Sequence, residues 1–156
     1  MPLNKLIDYL DKNGKKYIVM KHSKAYTAQE VAASAHIPGK EMAKTVMLKV
    51  DGDIKMVILP STHDVDFGKF QEALGATDVG LASEEEFEGL FPDCELGAMP
   101  PFGNLYDKET IVAEALTEDE EIAFNAGTHK ELVKMSYKDF EELTKPKIFP
   151  FTNKHT

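Results

Sequence analysis

The chain has 156 residues, 42% of them hydrophobic, which is enough for one globular domain, residues 1–156, with a self-sufficient core. It carries 18 basic residues against 27 acidic ones, a net charge of -9, and every basic residue is lysine. That balance excludes DNA binding and any broad grip on a nucleic-acid backbone, and without guanidinium groups any phosphate contact must come from a lysine point charge. The single cysteine, Cys94, excludes an internal disulfide, and the chain lacks a long apolar run, so the sequence reads as a cytoplasmic protein with no membrane partner.

Leu3, Leu6, Ile7 and Leu10 recur at helical spacing, and Gly14 follows as a C-terminal cap. Tyr17 to Met20 reads as a strand. Thr27-Ala28-Gln29-Glu30 forms a capping box for a helix that Pro38-Gly39 ends. Lys44 to Val50 and Ile54 to Leu59 are β-rich runs joined at Asp51-Gly52, the strongest hairpin signal in the chain. A helix is predicted over Phe67 to Leu74, stopping at Gly75, then a short strand from Asp78 to Ala82. Ser83-Glu84-Glu85-Glu86 is a second capping box. Thr110 to Glu114, Ile122 to Asn125 and Leu132 to Met135 read as strands, and Ser136 caps a helix with Tyr137, Phe140 and Leu143 on one side. Pro146 and Pro150 mark an irregular tail over about residues 146–156. Hairpins with interspersed helices, lacking strict βαβ alternation, predict an α+β fold with a mixed, mostly antiparallel sheet.

The most site-like stretch is Gly97-Ala98-Met99-Pro100-Pro101-Phe102-Gly103-Asn104. A glycine and two prolines within five residues force an irregular backbone whose N–H groups are free of a ladder and available to a ligand. Taken alone it also describes a stiff turn. Lys44 opens a strand beside Thr45 and the apolar run Val46-Met47-Leu48; a lysine there ordinarily pairs with an anion or extends its head to water. His129 follows Gly127-Thr128 in a connection between strands, where a histidine is ordinarily solvated. Cys94, flanked by Asp93 and Glu95, lacks the electropositive surroundings of a nucleophile and reads as packing. His63, Asp64 and Asp66 read as turn and capping chemistry before a helix, and no metal-ligand spacing is present, so no metal or other cofactor is expected.

His22 through Glu30, Ala43-Lys44-Thr45-Val46, Leu96 through Gly103 and Phe124 through His129 occur in an order that resembles the YbaK-type editing domain family. These are aminoacyl-tRNA deacylases, free-standing or inserted in bacterial prolyl-tRNA synthetases, and the resemblance runs from about His22 to Pro146. It implies a partly barrel-like sheet with surrounding helices. It also implies a trans-editing deacylase that hydrolyses the ester of mischarged aminoacyl-tRNA with water as nucleophile. The partner would be the aminoacyl-tRNA 3' end, with an aminoacyl-tRNA synthetase as a further candidate. The resemblance places Lys44 in the catalytic pocket, at the acceptor nucleotide. Gly97, with Ala98, Met99, Pro100 and Pro101, would hold the ester carbonyl. Gly127, Thr128 and His129 would border the pocket, His22, Tyr26 and Thr27 would line its mouth, and Ser61 would help shape it. The alternative is a non-catalytic tRNA- or synthetase-binding module of the same fold.

Overall fold

The computed structural model describes residues 2–21, 37–91, 94–95 and 97–154. Among them, four α-helices are formed: α1 (Pro2–Lys12), α2 (Phe67–Leu74), α3 (Glu84–Phe87) and α4 (Tyr137–Thr144). The strands are β1 (Tyr17–Lys21), β2 (Ala43–Val50), β3 (Asp53–Pro60), β4 (His63–Val65), β5 (Val79–Leu81), β6 (Thr110–Ala113), β7 (Glu121–Asn125), β8 (Glu131–Ser136), β9 (Lys147–Phe149) and β10 (Thr152–Lys154). A five-stranded sheet has the order β5-β2-β3-β6-β9, a three-stranded sheet the order β1-β8-β7, and β10 pairs with β4. Among the described residues only the β3–β6 and β6–β9 ladders are parallel, so the fold is the mixed, mostly antiparallel α+β arrangement expected. The described strands do not close into a barrel; a single parallel bridge, Met42 to Ala123, joins the two larger sheets.

Local chemistry accounts for several boundaries. Asp51 (φ 48°) and Gly52 (φ 92°) both adopt left-handed backbone, the two-residue turn whose twist matches the β2–β3 hairpin. The Asp66 carboxylate accepts the Lys69 N–H at 3.0 Å and starts α2. At α3 the capping box closes both ways: Ser83 N–H donates to Glu86 Oε1 at 2.9 Å, and Glu86 N–H donates to Ser83 Oγ at 3.2 Å. The Lys49 ammonium, 2.7 Å away, and these Ser83 contacts hold the Glu86 carboxyl down to about 2. Ser136 Oγ accepts the Asp139 N–H and starts α4. The capping box at Thr27 lies outside the described residues.

Two expectations are corrected. The tail is not irregular: Lys147–Phe149 runs parallel to β6, and Thr152–Lys154 pairs with β4. Phe151 between them is fully buried against Phe70, ring centroids 5.1 Å apart, so a core contact orders a segment too short to show periodicity. His63 and Asp64 consequently sit in β4, paired with Lys154 and Asn153, and only Asp66 of that cluster caps.

The five-stranded sheet is buried on both faces. On one face Met47, Met56 and Ile58 join a large core with Leu6 and Leu10 of α1, Phe124 of β7 and Phe140 of α4. On the other face Leu48, Val57 and Leu59 pack with Phe70 and Phe151. A small third cluster gathers Ile37, Met42, Ala123 and Leu132 at the bridge between the sheets.

Candidate functional site

The Gly97 loop is anchored from its C-terminal side. Phe102 is fully buried and meets Phe124 and Phe140 edge-on, with ring centroids 5.5 and 5.4 Å away. Burying such a ring stabilises by about 1.5–3 kcal/mol, enough to hold the preceding residues in one conformation. Ala98, Met99, Pro100 and Pro101 are buried in turn, while Gly97 is exposed at the rim with φ +82°. That backbone is open to glycine and strained for any L side chain. The loop therefore presents main chain, and little side chain, to whatever lies above it.

A second loop, between β7 and β8, is stitched to the first by backbone. Gly127 N–H donates to Ala98 O at 2.8 Å, Glu95 N–H donates to Gly127 O at 2.8 Å, and Ala98 N–H donates to Glu95 O at 3.1 Å. His129 N–H donates to the Glu95 carboxylate at 3.0 Å. His129 is 4% exposed, not solvated as a loop histidine ordinarily is. Its ring edge is packed against Gly97: a methyl group added at Gly97 would lie 3.6 Å from His129 Cε1. Thr128 is half-buried and turned the other way, its hydroxyl donating to Glu131 and accepting the Lys130 N–H.

Lys44 belongs to a different neighbourhood. It is half-buried at the start of β2, opposite Leu59, with Nζ 3.6 Å from the exposed Asp64 carboxylate of β4. This is the anion pairing that a lysine beside a buried strand ordinarily finds. Ser61, fully buried after β3, donates its hydroxyl to Gly39 O at 2.7 Å and its N–H to Met42 O at 2.7 Å, so it ties the turn before β2 to the end of β3. The structure thus brings together Gly97, Ala98, Gly127 and His129, and separately groups Lys44 and Ser61 at one end of the β2–β3 hairpin. His22, Tyr26 and Thr27 lie outside the described residues.

No local sequence signal marks Glu95 or Asp64, because the contacts they make join positions 34 and 20 residues apart in number. Cys94 is half-buried, its sulfur 3.5 Å from the Tyr106 hydroxyl, and it packs against the large core. Among the described residues no group of three or more His, Cys, Asp or Glu is placed to hold a metal ion. An open groove of about 640 Å³ between α2 and the Glu114–Glu118 turn is lined by His63, Lys69, Glu72, Glu114 and Glu118 among others, and Lys44, Gly97 and His129 take no part in it.

Comparisons with known proteins bear on the family and the fold. The model of a family described as the aminoacyl-tRNA editing domain matches residues 22–143. Proline--tRNA ligase of Bacillus mycoides (strain KBAB4) is 34% identical over 88 residues, 56% of this chain and 15% of that protein. The same enzyme of Staphylococcus saprophyticus is 35% identical over an equal stretch. The chain thus matches only a small part of those relatives' length. Among solved structures, a candidate trans-editing enzyme for prolyl tRNA synthetase superposes with a TM-score of 0.82 at 18% identity, covering 97% of each chain. A hypothetical protein superposes at 0.84 with 19% identity, covering 96% of this chain and 99% of that one. Likeness at those identities establishes the fold, and the family model, spanning well over half of the sequence, establishes the kinship: this chain belongs to the aminoacyl-tRNA editing domain family.

Proposed function

We propose that the chain is a trans-editing deacylase that hydrolyses the ester bond of mischarged aminoacyl-tRNA. The observation that carries this reading is the exposed, left-handed Gly97 backbone held against the buried His129 ring. An aminoacyl ester is already activated, so its hydrolysis needs a positioned water and donors at the developing oxyanion more than it needs a covalent nucleophile. In this reading the main-chain N–H of Gly97 donates to the carbonyl oxygen, since that of Ala98 is taken by Glu95 O and the two prolines have none, and one such donor supplies ~10²-fold or more in rate. Water adds to the carbonyl carbon, the C–O bond to the ribose breaks, and the ribose oxygen leaves with a proton, giving free amino acid and uncharged tRNA. The tRNA's own ribose hydroxyl assists the water. His129 limits the size of the amino acid and orients the water. Lys44, released from Asp64, holds the terminal phosphate or ribose as a point charge. The chain acts in the cytoplasm on the aminoacylated 3' end, with an aminoacyl-tRNA synthetase as a delivery partner.

The test is a deacylation panel with alanyl, seryl, threonyl and cysteinyl esters of one tRNA. Turnover of at least one of them is expected. Binding without turnover of any would overturn the enzyme reading in favour of a regulatory module, which the net charge of -9 and the weak grip on tRNA it implies would fit.

A further inference from the structure

Asn125 ends β7 opposite Leu132 of β8. It is 9% exposed, and its side-chain carbonyl oxygen is buried with no hydrogen-bond partner. Its neighbours on the strand define its face. Ile122 and Phe124 point into the large core, whereas Ala123 and Leu132 belong to the small cluster with Met42, so Asn125 lies on the latter side by the two-residue period of a strand. Along the backbone it lies on the connection that links the elements carrying the two halves of the site. The residues that follow it, Ala126 and Gly127, lead into the bond from Gly127 N–H to Ala98 O, one residue from Gly97. In the other direction the parallel bridge from Ala123 to Met42 leads, two residues on, to Lys44.

A buried carbonyl without a donor is costly, and a leucine of similar volume would fill this place without that cost. Turning the carboxamide over would bury two donors in place of one acceptor, so the acceptor-inward arrangement is the lesser penalty. The retained acceptor therefore calls for a donor that arrives from outside. An aminoacyl ester brings a pure donor, its α-ammonium, whereas a ribose hydroxyl both donates and accepts and has no need of a group that only accepts here. A carboxylate in the same place would compete with Asp64 for Lys44; an amide oxygen takes the ammonium and leaves Lys44 available. We infer that Asn125 is a specificity-determining residue whose side-chain carbonyl accepts a hydrogen bond from the α-ammonium of the bound aminoacyl group. The inference rests on the deacylase reading given above.

The experiment compares an aminoacyl ester with its deamino counterpart on the same acceptor-stem mimic: alanyl with propionyl, and seryl with 3-hydroxypropionyl. Each kcat/KM is divided by the uncatalysed hydrolysis rate of that ester, because the ammonium itself activates the carbonyl. The parent chain should favour the ammonium-bearing ester by about tenfold or more, the worth of one charge-assisted hydrogen bond. Asn125→Leu should bring the ratio to within about threefold by losing rate on the aminoacyl ester alone, with a melting temperature equal to or above that of the parent. Asn125→Asp should keep the preference while slowing turnover of both esters, because its carboxylate also draws Lys44. If Asn125→Leu instead lowers both rates equally and melts earlier, Asn125 is a structural residue and the inference is overturned. Turnover by the parent with no preference for the ammonium overturns this inference alone, whereas no turnover of any aminoacyl ester overturns the deacylase reading and this inference with it.

Discussion

Gly97 and His129 are fixed by main-chain hydrogen bonds and a buried ring, whereas Lys44 reaches across a half-exposed surface to one solvated carboxylate. The first arrangement is rigid because three hydrogen bonds join its two loops and a fourth braces the first loop internally, so its groups have little freedom left to lose when a ligand binds. The second is adjustable. An exposed ion pair contributes about 0–1 kcal/mol, so Lys44 could leave Asp64 at small cost if a phosphate or ribose offered a better partner. In the proposed site the contrast would make a division of labour: the loop pair would hold the reacting ester, and Lys44 would hold the polyanion attached to it.

The largest expected effect comes from breaking the rigid half. Gly97→Ala places a methyl group 3.6 Å from the His129 ring, an ordinary contact, so its cost is conformational rather than steric. Holding an alanine at φ +82° should destabilise the fold by about 1–2 kcal/mol, and the displaced donor should reduce deacylation by ~10²-fold or more. Denaturant melts together with single-turnover rates separate the two, and full turnover by the variant would place the ester carbonyl elsewhere.

Breaking the adjustable half should cost activity and leave the fold intact. Lys44→Ala is expected to lose most deacylation, at least about tenfold, while stability changes by less than about 1 kcal/mol. Asp64→Asn sharpens the point, since it removes the resting partner and keeps the ammonium. Its turnover should equal or exceed that of the parent at low salt. A loss as large as that of Lys44→Ala would mean that Asp64 positions the lysine for catalysis rather than parking it.

The smallest effect concerns the approach to β2. Asp119, just before β7, has a carboxylate oxygen buried without a partner, and burial raises its carboxyl to about 6, with Lys40 opposing and Glu41 and Glu118 adding to the shift. The folded state thus holds this proton more tightly than the unfolded chain, whose ordinary value is 3.8. The stability this confers is complete below about pH 3.8 and is lost as pH rises through about 6. Glu86 and Glu109, whose carboxyls are lowered by lysine contacts, act in the opposite sense and weaken the fold only as pH falls below their ordinary value of 4.5. Asp119→Asn should therefore raise stability at pH 7 by on the order of 1 kcal/mol after solvent screening, and remove the decline between about pH 4 and pH 6. Melting temperatures of parent and variant across pH 4–8 check this; parallel curves would show that Asp119 carries no such proton.

The elements legible in the sequence are those whose causes lie within a few residues of one another. Asp51-Gly52 dictates its own turn, Asp66 and Ser136 cap the helices that follow them, and Ser83 and Glu86 close a box across a single turn. The Gly97 loop was legible for the same reason, since glycine and proline restrict the backbone wherever they stand. The burial of His129, the pairing of Lys44 with Asp64, the part played by Glu95 and the strands of the tail were not. Each arises from a contact between segments distant in sequence: Glu95 reaching the β7–β8 loop, β4 lying beside the start of β2, and Phe151 seating against Phe70. By itself the sequence determined which backbone conformations the chain can adopt locally, through sterics and short-range hydrogen bonds. Which side chains are buried, paired or left waiting for a donor was decided by tertiary packing, because burial and electrostatic partnership depend on what the rest of the chain brings alongside.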